Sequence, residues 1–206
     1  DAAIRTNRME WTVGSPDLKP NRETYHTLRL SYNDSRLQIN LQGFYKKCPH
    51  PNMAVYERTS DDRFIYTQRN QKEIDALHAM AYASYWLMPE KLSVTAYGGL
   101  FRCFNFGHDY THCYTSYFFT GAVNAYLGNL SLHAYADNGS RFLEGETKGY
   151  SGGDIALKAA YSYKDWQFAL IWQQPFQHKY KMFESEVLNR NLQKTTALYS
   201  SDACNL

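Results

Sequence analysis

The sequence predicts an all-β fold of antiparallel, up-and-down transmembrane β-barrel strands, about 8–9 in number. Apolar and polar residues alternate along eight segments of the chain. Short and long connections alternate between these segments, as in outer-membrane barrels. No Asp, Glu, Lys or Arg falls on the apolar parity of a predicted strand between Leu28 and Trp172. A soluble β-sandwich would also lack charge on its buried face, but it would not place every long connection at one end.

The first predicted hairpin shows the alternation most clearly. Leu28, Leu30 and Tyr32 share one parity, and the turn Asn33–Ser35 has the composition of a tight turn. In the second strand the apolar positions are Leu37, Ile39, Leu41, Gly43 and Tyr45. The opposite parity is polar and predicts a lumen wall that continues into later strands; its members are Gln38, Asn40, Gln42, Asn124, Gln167 and Gln173.

Six further segments repeat this pattern. Their apolar positions lie within 77–87, 92–100, 119–127, 130–136, 155–163 and 166–172. Short turns are predicted at 88–91, 128–129 and 164–165, and long loops at about 46–73, 105–113, 138–153 and 174–194. A ninth strand is predicted to begin at Thr195.

The composition excludes several classes of protein. The net charge of +2 over 206 residues gives no indication of nucleic-acid binding. No apolar run reaches the roughly 18 residues of a membrane helix. The first residues lack the apolar core of a signal peptide, so we expect either a cytoplasmic protein or a chain that begins downstream of its own start.

The predicted strands fit a bilayer in two further respects. Each strand has about the length that a tilted membrane strand needs. Aromatic residues gather beside the short turns, where an interfacial girdle belongs; they are Tyr32, Tyr85, Trp86, Tyr126, Tyr163 and Trp166. A lipid-facing Lys or Arg at mid-bilayer costs roughly 2–4 kcal/mol, so a charge-free face is expected. Arg102, at the end of its predicted strand, is the one near exception.

The segment that leads into the first strand carries a family resemblance. "GSPDLKP" resembles the "GNPxLKPE" segment of TonB-dependent outer-membrane receptors, where it leads from an outer loop into a descending strand. The matching residues are Gly14, Pro16, Leu18, Lys19 and Pro20. Ser15 and Asn21 depart from the pattern, which usually has Asn and Glu there.

Two later stretches extend this resemblance. Residues 142–176 and 185–206 look like the C-terminal barrel region of receptor-like outer-membrane proteins from glycan-degrading Gram-negative bacteria. The resemblance implies that residues 1–206 form a single C-terminal barrel segment without the plug domain. It also implies location in the bacterial outer membrane, contact with its lipid, and import of a glycan, siderophore or peptide. The implied partners of the intact receptor are the TonB system and a surface lipoprotein.

No catalytic, cofactor-binding or metal-binding residue is predicted, and we expect that the protein is not an enzyme. His108 and His112 lie four residues apart, but that spacing aligns ligands on a helix, and this segment is a predicted hairpin loop. The acidic pairs Asp61–Asp62 and Glu144/Glu146 are interpreted as solvated loop residues. The glycine-rich stretch 145–154 lacks the phosphate-loop pattern and is interpreted as a flexible outer loop.

Loop aromatics and cysteines complete the candidate residues. Five loop tyrosines are candidates for stacking on a ligand, with loop packing or interfacial anchoring as the alternative; they are Tyr56, Tyr66, Tyr110, Tyr150 and Tyr180. Cys103 and Cys113 flank one predicted loop and are a candidate disulfide across a hairpin. Free thiols are the alternative for all four cysteines.

Two other functions are compatible with the sequence. A small stand-alone outer-membrane barrel for adhesion or envelope integrity would insert into a membrane by itself. A soluble β-sandwich that binds carbohydrate through exposed aromatics would be a monomer without detergent. The family resemblance favours the receptor-like barrel over both.

Overall fold

The computed structural model describes residues 3–6, 10–176, 179–190 and 192–201, and these residues form sixteen β-strands and no helix. The strands, in chain order, are β1 (Ala3–Arg5), β2 (Glu10–Val13), β3 (Thr24–Asn33), β4 (Leu37–Pro49), β5 (Asn52–Arg58), β6 (Phe64–Asn70), β7 (Glu73–Met88), β8 (Leu92–Phe106), β9 (Thr111–Leu127), β10 (Leu130–Asp137), β11 (Ser140–Glu144), β12 (Thr147–Ser151), β13 (Ile155–Tyr163), β14 (Trp166–Gln173), β15 (Lys179–Leu188) and β16 (Gln193–Ser201).

The strands form three sheets. The largest has eight strands in the order β14-β13-β10-β9-β8-β7-β4-β3, and we call it the main sheet. Two four-stranded sheets, β1-β2-β6-β5 and β11-β12-β15-β16, combine hairpins from its connections with strands that precede β3 or follow β14, and we call them the outer sheets. Neighbouring strands are antiparallel except for β2 and β6, which run parallel. The prediction of an all-β, antiparallel fold is therefore confirmed.

The main sheet contains the eight predicted strands in their predicted order. Its register pairs apolar with apolar positions, such as Leu30 with Leu41 and Ile39 with Ala83. Four turns of two or three residues join β3–β4, β7–β8, β9–β10 and β13–β14 at one end of the sheet. Gly128 begins one of them at a φ of 62°, a left-handed conformation that glycine adopts without strain.

At the opposite end, the connections predicted as long loops are mostly strands. Residues 46–73 contain the hairpin β5–β6, and residues 138–153 contain the hairpin β11–β12. In the third of these connections, β8 and β9 continue to a four-residue turn at 107–110. The interpretation of 145–154 as a loop is wrong for Thr147–Ser151, which form β12 and pair regularly with β11 and β15.

The main sheet does not close into a barrel. Among the described residues, its edge strands β3 and β14 are each paired on one side only. The predicted ninth strand exists as β16, but it pairs with β15 in an outer sheet and does not extend the main sheet. An open sheet edge leaves backbone donors and acceptors that hydrocarbon cannot satisfy.

Candidate functional site

One face of the main sheet is apolar and exposed, and we call it the apolar face. Leu30 is 58% exposed, Leu41 45% and Leu170 72%. Exposed apolar side chains of the same parity occur on all eight strands; further examples are Leu28, Leu77, Leu100, Phe119, Val123, Leu132, Tyr161 and Phe168. Soluble monomers rarely expose apolar patches larger than a few hundred Å², so this face requires an apolar partner.

Charged residues begin where the apolar band ends. Lys47 and Glu73 form an ion pair of 3.0 Å on the same parity as Leu41, one step beyond the band. Asp75 lies opposite Lys47 and accepts a hydrogen bond of 3.0 Å from the Tyr45 hydroxyl. Arg102 lies beside them, opposite Leu77, with its guanidinium over the Phe104 ring. These charges form a rim at the end of the band near the outer sheets.

Aromatic residues mark the other end of the band, beside the short turns. Tyr32, Tyr85, Tyr163 and Trp166 all lie on the apolar face and are exposed, as the girdle prediction requires. Trp86 and Tyr126 instead lie on the opposite face, where their rings contact each other at 6.2 Å between centroids. Four of the six aromatic residues named for the girdle therefore lie on the apolar face.

The opposite face carries a polar network across neighbouring strands. The Asn124 amide nitrogen donates to Ser93 Oγ at 3.2 Å, and the Asn124 amide oxygen contacts His133 Nδ1. The Arg29 guanidinium donates to the Gln42 amide oxygen at 3.2 Å. This face matches the predicted lumen wall in its polarity.

Closer to the rim, the opposite face also carries an aromatic cluster that the sequence did not predict. The His78 ring stacks on Phe44 at 4.0 Å between centroids and contacts Phe101 at 4.1 Å. The three residues lie on adjacent strands, and the pairing of Phe44 with His78 and of His78 with Phe101 explains the cluster. Residues directly opposite each other on paired strands have their side chains on the same face and close enough for contact.

The lead-in segment with the family motif turns at residues 16–17 and is attached to the outer sheet β1-β2-β6-β5. The Lys19 backbone amide donates to Asn70 Oδ1 at 2.8 Å, and Asn70 Nδ2 donates to the Lys19 carbonyl oxygen at 3.1 Å. Asn21, which replaces the usual Glu, accepts a hydrogen bond of 2.8 Å from the Asn52 backbone amide. Gly14, Pro16, Leu18 and Pro20 complete this segment outside any strand.

A buried polar junction connects the two outer sheets. Glu146, only 6% exposed, accepts from Asn189 Nδ2 at 2.9 Å through each carboxylate oxygen. The same amide donates to the Tyr56 carbonyl oxygen at 3.0 Å. Burial raises the pKa of the Tyr56 phenol to about 12, with Glu10 and Glu146 adding to the effect. Glu146 is therefore a structural acid, which its sequence context did not indicate.

The candidate ligand tyrosines do not form one site. The Tyr56 and Tyr66 rings contact each other at 5.2 Å, while Tyr110 packs with its hydroxyl 3.2 Å from Met53 Sδ. Burial raises the pKa of Tyr110. Tyr180 lies half-buried in β15, and Tyr150 is the one candidate that lines a cleft. For the other candidates, packing within the outer sheets is the observed role.

The cleft has a volume of about 680 Å³ and lies between β9 and the outer sheet β11-β12-β15-β16. Its lining is aromatic and charged; the side chains are Tyr114, Arg141, Lys148, Tyr150, Lys181, Glu184, Glu186 and Thr195. Arg141 and Lys148 did not stand out in the sequence, because both lie in the predicted long loop 138–153. Gly145, which adopts a φ of 57° between β11 and β12, was the available signal for a turn.

The structure does not bring Cys103 and Cys113 together. They lie on paired strands, but Cys103 is opposite Tyr114 and Cys113 is opposite Phe104, so their side chains point to opposite faces. Both are free, and Cys103 is buried while Cys113 is exposed. The candidate disulfide is not formed. Cys48 is a buried free thiol, and Cys204 lies outside the described residues.

The remaining candidate groups have structural partners. Asp61 and Asp62 form ion pairs with Arg63 and Arg58 at 2.9 and 2.8 Å. The His112 ring stacks on Tyr110 at 5.0 Å between centroids. In the described part of the chain, no group of three or more His, Cys, Asp or Glu side chains is arranged to hold a metal ion.

Comparisons with known proteins add no relative. No family model, curated protein or solved structure matches the chain. No helix among the described residues is long and apolar enough to cross a membrane.

Proposed function

We propose that the chain is part of an outer-membrane β-barrel of the TonB-dependent receptor type that takes up a glycan, siderophore or peptide. The observation that carries the proposal is the exposed, charge-free apolar band of the main sheet. The rim formed by Lys47, Glu73, Asp75 and Arg102 bounds it at one end, and aromatic residues beside the short turns bound it at the other.

The dimensions of the band support a bilayer as its partner. A tilted membrane strand needs about 9–11 residues. The apolar segments Leu37–Tyr45 and Leu77–Leu87 contain 9 and 11 residues by their numbering. Charged residues on the lipid side of such a sheet are destabilising at the midplane and tolerated at the interface, which is the distribution found here.

The difference between the two ends of the main sheet supports one orientation of the sheet in the outer membrane. The short turns belong on the inner side of an outer-membrane barrel, and the extended hairpins and outer sheets belong outside. The unpaired edges of β3 and β14 favour a sheet completed by further strands over a small stand-alone barrel. The TonB system and a surface lipoprotein are the partners that the family resemblance suggests.

The membrane assignment is tested with a fluorescent probe on single cysteines in a chain whose four native cysteines are replaced by alanine. The variants are Leu41→Cys on the apolar face and Gln42→Cys on the opposite face, reconstituted into lipid vesicles. We expect nitroxide groups on lipid acyl chains to quench the probe at 41 and not at 42. Equal quenching of both probes by aqueous iodide would contradict the proposal. A folded monomer without lipid or detergent would instead favour the soluble β-sandwich.

The transport role is tested separately in cells. Deletion of the gene in its native host is expected to abolish uptake of one class among glycans, siderophores and peptides. Unchanged uptake of all three classes would exclude the import role and would leave the membrane assignment standing.

A further inference from the structure

The cleft between β9 and the outer sheet β11-β12-β15-β16 contains two cations that form no ion pair with a carboxylate of the described residues. Arg141 and Lys148 lie on one face of this sheet, on the paired strands β11 and β12. Neither forms an ion pair with any described residue. Both are held by aromatic rings: the Arg141 guanidinium lies 4.9 Å from the Tyr150 centroid, and Lys148 Nζ lies 5.1 Å from the Tyr114 centroid.

This arrangement leaves the donors of both cations available. A cation–π contact stabilises the positive charge electrostatically and uses none of its N–H groups. Arg141 Nη1 is buried and has no hydrogen-bond partner among the described residues. A buried donor without a partner is costly, so an acceptor that enters the cleft would gain the full hydrogen bond.

The acidic residues of the cleft do not compete for these cations. Glu184 is paired with Lys181 at 2.8 Å, and this hydrogen bond raises the pKa of Lys181. Glu186 lies opposite Lys148 in the register but forms no ion pair with it. With Lys181 and Glu184 balanced, Arg141 and Lys148 exceed Glu186 by one charge, which favours an anion.

We propose that this cleft binds a hydroxylated organic anion, whose carboxylate, sulfate or phosphate group is held by Arg141 and Lys148. The planar guanidinium suits a bidentate oxyanion, and the lysine adds a second charge-assisted hydrogen bond. Hydroxyl groups elsewhere on the ligand donate to Glu186. The cleft volume of about 680 Å³ lies within the usual range for ligand sites. The role of this cleft as the ligand site of a transporter rests on the proposed function, whereas its binding of an anion does not.

The test is calorimetric titration of the purified full chain in detergent. The probes are a galacturonic acid trisaccharide, the neutral galactose trisaccharide of the same length and inorganic phosphate. We expect the acidic trisaccharide to bind, the neutral one not to bind, and phosphate to compete. Competition by phosphate would show that the site recognises the oxyanion and not the sugar. Failure of the acidic trisaccharide to bind, or equal binding of the neutral one, would overturn the proposal.

Matched variants locate the site. Arg141→Gln and Lys148→Gln are each expected to weaken binding about tenfold or more, the effect of one charge-assisted hydrogen bond. Arg141→Lys keeps the charge and is expected to lose less. The control is Lys179→Gln, because Lys179 lies over the Tyr199 ring at 4.9 Å in the same sheet but outside the cleft. Equal weakening by Lys179→Gln would overturn the assignment to this cleft.

Circular dichroism of each variant separates lost binding from lost folding, and the assay is independent of membrane insertion.

Discussion

The main sheet and the outer sheets distribute polarity in opposite ways. The main sheet exposes leucines and aromatics along its apolar face, whereas the outer sheets bury the Glu146 carboxylate at their junction, where it accepts from the Asn189 amide. A water-soluble domain hides the first kind of residue and rarely buries the second without partners. This difference supports the proposed membrane location, in which the apolar band would contact hydrocarbon and the outer sheets would contact water.

The largest effect is expected from a charge placed within the apolar band. Leu41→Arg should destabilise the lipid-reconstituted protein by roughly 2–4 kcal/mol, since the guanidinium would face hydrocarbon. Gln42→Arg puts the same charge on the opposite face and should cost far less. Urea titration of both variants in lipid vesicles measures the difference. If the two variants were equally stable, the contrast between the two faces would lose its physical basis.

The buried junction predicts the next largest effect. Glu146→Ala removes the carboxylate that accepts twice from Asn189 and should cost about 1–3 kcal/mol. Glu144→Ala is the matched control, because Glu144 is an exposed acid two residues away, and such changes stay within about 0.5 kcal/mol. Denaturant unfolding of the outer sheets, followed by tyrosine fluorescence, compares them. A large effect of Glu144→Ala would argue against a specific junction.

Gly139 connects β10 of the main sheet with β11 of an outer sheet, and the backbone there leaves no space for a side chain. Gly139 has a φ of 74°, and a β-carbon there would collide with the Ser151 carbonyl oxygen. Gly139→Ala should therefore destabilise the protein by about 1–3 kcal/mol. Gly128→Ala shares the positive φ, at 62°, but has open space around it, so only the backbone strain applies. Thermal unfolding should rank Gly128→Ala as the milder change, and the reverse order would refute the close approach.

The smallest expected effect is a pH dependence confined to alkaline solution. The folded-state pKa of Tyr56 is raised from 10.0 to about 12, so between these values the unfolded chain releases a proton that the folded chain keeps. Stability should thus fall as pH rises from 10 to 12, and Tyr56→Phe should reduce that fall. The difference in phenolate absorbance between wild type and Tyr56→Phe, followed across pH, measures the ionisation of Tyr56. A midpoint near pH 10 for Tyr56 would contradict its burial.

Sequence periodicity was sufficient to predict the strands of the main sheet and the face on which each side chain lies. Leu37–Tyr45 and Ile155–Tyr163 were placed on their strands because side chains alternate between faces with a period of two, which needs no knowledge of distant contacts. The same reasoning failed beyond the rim. Short strands such as Ser140–Glu144 and Thr147–Ser151 carry glycines and charges, and they belong to a sheet because β12 pairs with β11 on one side and with β15 on the other.

The sequence by itself determined the strand order, the charge-free face and the end at which the short turns lie, since all three depend on local spacing. The tertiary structure alone decided which strands bury Glu146, why Cys103 and Cys113 do not meet, and that Arg141 and Lys148 share a cleft. These properties depend on register between segments far apart in the chain, and a shift of one residue moves every side chain to the other face.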